Sequence, residues 1–305
     1  MPLLHKDRLL PQTEVNLSLA REFYQSIAKL PIISPHGHCD PSWFSENKRF
    51  PDPAQLFVVP DHYVFRMLVS QGFTLSELGV NSIDISNFEK DPKKIWKKFS
   101  ENYYLFRGTP TAMWLDYSFE KVFGISEPLS PATSDFYYNH IEEKLSQPEY
   151  LPRALFDRFN IEVLSTTDSA ISDLSQHTEL KNSNWEGRII PTYRPDSVVD
   201  PESRDFKDNL VKLGELANED TNSWDGYLKA HRSRRLCFKE MGATASDHGH
   251  PSARTENLAH HEAESLYKRI LTEEFDSEEA DKFRGQMLTE MAKMSCEDGL
   301  VMQIH

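Results

Sequence analysis

The chain has 305 residues, 38% hydrophobic and 27% charged, enough apolar sequence for a sizeable core and too ordinary a charge share for a disordered chain. Lys and Arg number 34 against 48 Asp and Glu, a net charge of −14, which argues against nucleic acid or an anionic membrane as partner but leaves room for a small anion held by local Arg or His. No run approaches the ~18 apolar residues of a membrane span, no apolar signal core opens the chain, and Cys39, Cys237 and Cys296 are scattered, so the expectation is a cytoplasmic protein with reduced thiols.

The first expected element is a helix over 14–30, where Leu17, Ala20, Phe23, Tyr24, Ile27 and Leu30 recur as one apolar stripe. Pro31 ends it, and Ile32-Ile33 open a strand leading into His36-Gly37-His38. Residues two apart on a strand share a face, so the two imidazoles would converge on one point, as a metal ion requires. A bare H-x-H also arises by chance; the order of elements downstream strengthens the metal reading. Residues 41–160 follow as a mostly helical insertion with a Pro-rich start. Helices are expected near 61–72, 91–106, 111–122, 131–147 and 152–159, the fourth with Ser130 as N-cap and Pro131 at its first position. Trp96, Tyr103, Tyr104, Phe106, Trp114, Tyr117 and Phe119 read as the core of this insertion.

A regular alternation comes next. Strands are expected near 32–38, 161–167, 188–194, 243–247 and 300–305, with helices near 170–177, 205–218, 223–241, 254–273 and 277–295. Gly242 reads as the residue just past one helix, and Asp276 with Glu279 as a capping box for another. Strands separated by helices predict an α/β fold with a parallel sheet. Every strand ends in polar or ionisable groups: His36 and His38, Asp168, Arg194, Asp247 and His248, and His305. In βα units these ends share one face, so together they describe a pocket lined by His, Asp and Arg.

His36 and His38 are metal-ligand candidates that need a carboxylate from elsewhere. Asp61-His62-Tyr63, with Arg66 one turn on, reads either as a substrate-facing cluster or as a polar helix start capped by Asp61. Arg194 either clamps a carboxylate or pairs with Asp196. Asp247-His248 is a candidate acid/base pair or an orienter of a metal ligand, against His248 merely capping the next helix. His248-Gly249-His250-Pro251 is a second H-x-H in a loop context, and His260-His261 fit a solvated helix face. G-x-G-x-x-G, P-loop, G-x-S-x-G and H-E-x-x-H motifs are absent, which argues against nucleotide cofactors, serine hydrolases and zincin proteases.

Taken in order, these motifs resemble the uronate isomerase (glucuronate isomerase) family of the amidohydrolase superfamily. The residues that carry the resemblance are Pro31-Ile-Ile-Ser-Pro-His36-Gly-His38, Asp61-His62-Tyr63-x-x-Arg66, Leu129-Ser-Pro-Ala-Thr and Ser165-Thr-Thr-Asp168. Further on come Pro191-Thr-Tyr-Arg194-Pro-Asp196, Ser246-Asp247-His248 and Gln303-Ile-His305. The resemblance implies a distorted (β/α)8 TIM-type barrel with a helical insertion after strand one. It implies interconversion of D-glucuronate with D-fructuronate and of D-galacturonate with D-tagaturonate, and a divalent metal, zinc, on His36 and His38 with an Asp of the last barrel strand. His62, Tyr63, Asp168 and Asp247 are the expected catalytic residues, with Arg66, Arg194 and His305 toward the sugar acid.

Against that fold only about the first five strands are legible, so 1–305 is expected to be one incomplete barrel domain, truncated before the late Asp and Arg residues of the family. Ser169 after Thr-Thr-Asp and the His250-Pro251 pair also depart from the pattern. Two competing readings are a metal-dependent hydrolase of the wider amidohydrolase group and a non-catalytic fragment. A homo-oligomer is left open.

Overall fold

The structure, a computed structural model, describes residues 3–81 and 87–305. The chain divides into two units: the residues up to Leu30 with Asn47–Arg158, and Pro31–Glu46 with Phe159–His305.

The first unit is built from short helices whose starts are written in the sequence. Asp52, Asp91 and Thr109 each accept a backbone N–H from the first turn they precede, and Pro53, Pro92 and Pro110 occupy opening positions where a missing N–H costs nothing. The expected helix near 91–106 is Pro92–Glu101 followed by a 3-10 turn, and that near 111–122 is Pro110–Tyr117 followed by a π turn. The helix expected from 131 begins instead at Ser134. Thr133 Oγ1 accepts the Ser130 N–H at 2.9 Å and approaches the Pro128 carbonyl at 2.9 Å, which holds 130–133 as a turn. Of the expected aromatic core, Trp96, Phe106 and Phe119 are buried with Phe99 and Tyr137, whereas Tyr104, Trp114 and Tyr117 are exposed. Glu14–Ile27 forms the first helix, yet none of its residues is buried, and Phe23 remains 62% exposed.

The second unit is a parallel α/β arrangement. Its strands are β1 (Ile32–Ser34), β2 (Ile161–Ser165), β3 (Asp168–Ser169), β4 (Arg188–Ile190), β5 (Tyr193–Arg194), β6 (Ala245–His248) and β7 (Val301–Ile304). They form two sheets, ordered β1-β2-β4 and β3-β5-β6-β7, with every pairing parallel. Two of the expected strands, 161–167 and 188–194, are therefore each split, which makes seven segments rather than five among the described residues. Pro191, which has no N–H, interrupts the second of them. Backbone bonds still cross the gap, from Thr166 N to Ile190 O and from Asp168 N to Thr192 O, so β2 leads into β3 and β4 into β5.

The helices of this unit include Ser175–Asn182, Phe206–Ala217, Trp224–Glu240, His260–Thr272 and Ser277–Asp298. The first lies later than the expected 170–177, and His260–Thr272 starts later than the expected 254. Asp276 caps the last helix by accepting the Glu279 N–H, while the Glu279 side chain pairs with Arg269 instead of closing a capping box. Gly242, with φ of +97°, takes the left-handed turn after Trp224–Glu240. Tyr193, Tyr227, Phe238, Tyr267 and Phe283 fill the core.

Candidate metal centre and active site

β1 stops at Ser34, so His36 and His38 stand on the loop beyond it rather than on the strand itself. Pro35, lacking an N–H, is a poor continuation of a ladder. The imidazoles converge all the same, with Nε2 to Nε2 at 3.0 Å. Gly37 permits this. A Cβ there would stand 2.8 Å from the Ser165 carbonyl oxygen, and the Thr167 hydroxyl donates to the Gly37 carbonyl at 2.8 Å. The loop is pressed against the end of β2. Two nitrogens on one tetrahedral ion with bonds of about 2.0–2.1 Å would be roughly 3.3 Å apart, close to the observed spacing. Burial, and then the neighbouring His36, push the His38 pKa down, which favours the neutral, ligating form.

Asp247, on β6, is fully buried, and neither of its carboxylate oxygens has a hydrogen-bond partner. His305 Nδ1 lies 3.0 Å and His36 Nδ1 3.9 Å from one oxygen, and an outer nitrogen of Arg194 lies 3.6 Å from the other. β7 delivers His305: its N–H donates to the His248 carbonyl at 3.0 Å, and its carbonyl accepts from the His250 N–H at 3.2 Å. Ligand atoms of His36, Asp247 and His305 all fall within 4.8 Å of one another. That trio does not include His38, whose Nε2 lies 3.0 Å from His36 Nε2. A buried carboxylate without hydrogen bonds is costly unless a cation compensates it. Orphaned oxygens beside converging imidazoles are the donor set a divalent cation takes.

Arg194, at the end of β5, donates Nε–H to Asp196 Oδ2 at 2.6 Å. Asp196 in turn accepts the Gly249 N–H at 3.1 Å, so it ties the end of β5 to the loop after β6. Arg194 thus pairs with Asp196 and also approaches Asp247. Asp168 sits in a separate buried network, where His177 Nε2 lies 2.9 Å from Thr166 Oγ1 and Thr166 donates to Asp168 Oδ2 at 2.7 Å. Burial pushes the Asp168 pKa up, and His177 opposes the shift. His248 is buried at the end of β6 rather than capping a helix; its Nε2 lies 2.9 Å from Ser246 Oγ, and burial pushes its pKa down to about 3. His260 is exposed and lies 2.8 Å from Asp225, and His261 is exposed as well.

In the first unit Asp61 caps the helix His62–Val69, accepting N–H from Tyr63 and Val64. His62, Tyr63 and Arg66 are exposed on it, with the His62 and Tyr63 rings 4.2 Å apart. Sequence reasoning passed over His177 and gave Gln303 no role of its own. His177 carries no local signal. Gln303 carried a faint one, a polar side chain inside a short apolar strand.

A family model described as glucuronate isomerase matches residues 2–305. A uronate isomerase of Rhizobium meliloti is 54% identical over 303 residues, covering 99% of this chain and 65% of the relative. One of Phenylobacterium zucineum is 51% identical, covering 99% and 63%. The solved glucuronate isomerase of Caulobacter crescentus superposes with a TM-score of 0.96 at 47% identity, over 100% of this chain and 64% of that one. The Thermotoga maritima uronate isomerase gives 0.87 at 27% identity, over 99% and 64%. The chain thus spans just under two thirds of the length of these relatives. With the match running along essentially all of it, the chain belongs to the glucuronate isomerase family.

Proposed function

We propose that the chain carries out, or forms the larger part of a protein that carries out, aldose–ketose isomerisation of hexuronates: D-glucuronate to D-fructuronate and D-galacturonate to D-tagaturonate. The observation that carries this reading is Asp247, a buried carboxylate whose two oxygens accept no hydrogen bond and face His36, His305 and Arg194. Family membership supplies the substrate class. The fold proposed for the whole is a (β/α)8 barrel, into which the parallel second unit fits as its early strands, with 41–160 as the helical insertion.

The reaction moves hydrogen within one molecule. The C2–H bond breaks and the C2 hydroxyl gives up its proton as C2 becomes a carbonyl, while one proton is delivered to C1 and one to the aldehyde oxygen, which becomes the hydroxyl of a hydroxymethyl group. No external oxidant or reductant takes part. In this reading His62 and Tyr63 exchange the proton, and Asp247 and Asp168 are the carboxylates that accept or hold protons. Arg194 turns its outer guanidinium nitrogens to the substrate carboxylate, with Arg66 as a second cation, and His305 contacts a sugar oxygen. His36 and His38 would hold a divalent metal, proposed to be zinc, which when bound supplies a Lewis acid that polarises sugar oxygens, with the Asp247 charge beside it. The purified chain, with its metal content measured, is offered D-glucuronate and the ketose followed by NMR. Ketose formation that disappears in Asp247→Asn is the expected result. A folded, metal-bound chain that forms none would overturn the reading for these 305 residues.

A further inference from the structure

The carbonyl of Pro35 can only accept hydrogen bonds, and the side-chain amide of Gln303 reaches it from β7 with Nε2 to O at 3.0 Å. That contact settles which way the amide is turned. Its oxygen then faces His36 Nδ1, also at 3.0 Å. An amide oxygen cannot donate, so His36 Nδ1 must carry the proton. In the neutral ring the lone pair is then on Nε2, the nitrogen 3.0 Å from His38 Nε2. Gln303 pairs with Asp247 in the β6–β7 register, so the strand that orients the imidazole is the one laid beside the buried acid. One amide therefore ties two chain segments 267 residues apart and faces one nitrogen of a metal-ligand candidate.

We propose that Gln303 is a positioning residue that locks His36 in the Nδ1–H tautomer and so presents its Nε2 lone pair toward His38 for a divalent cation. The inference rests on the metal reading above, though it concerns the state of one ring and can be tested without turnover. A hydrogen bond to the non-ligating nitrogen is the usual way a ligand imidazole is oriented, and losing it typically weakens metal binding by about 10–100-fold.

The test uses the 305-residue chain labelled with 15N-histidine and stripped of metal. Long-range proton–nitrogen spectra report the tautomer of each ring, with His36 assigned through a His36→Asn control. The wild type should show His36 protonated on Nδ1. Gln303→Leu should show a mixture of tautomers and bind Zn2+ about 10–100-fold more weakly in a competition titration. Gln303→Glu keeps an acceptor opposite Nδ1 and should keep the tautomer. If the leucine variant does not fold, the wild-type spectrum and the glutamate variant decide. A wild-type His36 protonated on Nε2 would overturn the proposal, as would a folded leucine variant with an unchanged tautomer and unchanged zinc affinity. An absence of glucuronate turnover would count against the isomerase reading alone and leave the tautomer result standing.

Discussion

Gly37 and Ser165 meet backbone to backbone: the Ser165 carbonyl oxygen lies 2.8 Å from where a Cβ on Gly37 would stand. Backbone atoms cannot swing aside as a side chain can, so adding one methyl must move the loop that carries His36 and His38. Gly37→Ala should lower stability by about 1–3 kcal/mol and weaken Zn2+ binding by roughly tenfold or more. Thermal unfolding and a metal titration check both effects. Wild-type affinity in the alanine variant would mean that the H-x-H geometry does not depend on this contact.

Asp247 is held where a carboxylate should not be comfortable, fully buried and without a hydrogen-bond partner for either oxygen. Asp247→Asn keeps the shape and removes the charge. The metal-free variant should unfold no earlier than the wild type, because an unsatisfied buried charge is costly. Its metal affinity should fall by about 100-fold or more. A clear drop in metal-free melting temperature would show that Arg194 and His305 already compensate the charge.

Arg235 is a fully buried cation serving the core of the second unit. It donates Nε–H to Asp298 at 2.6 Å and a second N–H to its other oxygen at 3.0 Å. Burial pushes the Asp298 pKa up, but hydrogen bonds from Arg235 and the Leu300 N–H, with the charges of Arg235 and Lys239, outweigh it and hold it below the ordinary value of 3.8. The stability this pair contributes is complete above pH 3.8 and is lost as the pH falls through the lower, folded-state pKa. Asp298→Asn should cost about 3 kcal/mol at neutral pH, toward the lower end for a broken buried pair because Asp298 is partly exposed. Denaturant unfolding of both proteins against pH should show the gap closing only in strong acid.

His231 is buried against Tyr193, whose hydroxyl lies 2.7 Å from its Nδ1, and burial pushes its pKa from 6.5 down to about 3. Between those values the unfolded chain takes up a proton that the folded chain refuses, so this residue makes stability fall as the pH drops from 6.5 toward 3. His231→Gln should flatten that part of the stability curve. A slope identical to the wild type would place the buried proton uptake elsewhere.

Tyr63 is exposed at the start of its helix. Tyr63→Phe should therefore leave the melting temperature in place. If Tyr63 moves a proton in the isomerisation, kcat should fall by about 100-fold while KM stays within a few-fold. An unchanged kcat removes it from the proton path.

Much of this protein is local chemistry, which is why it can be read residue by residue. Asp61 and Pro92 set helix starts because a cap bond and a fixed φ act within one turn. The alternation of short apolar runs with helical periods led to a parallel arrangement because both periods are properties of neighbouring residues. Local signals also misled, as at Ser130-Pro131, where a plausible helix start is held as a turn by the Thr133 hydroxyl. What no local pattern could say is who meets whom. His36 and His38 were expected to converge from a strand; they converge from a loop, because Gly37 lets that loop press on Ser165, a residue 128 positions away. The partners of Asp247, and the reach of Gln303 to Pro35 and His36, come from strand register, which is set by the packing of the whole unit. The sequence by itself determined the family, the order of elements and the residue types available for chemistry. Only the tertiary structure decided which of those residues share a buried carboxylate, because burial and distance between remote segments exist only once the chain is folded.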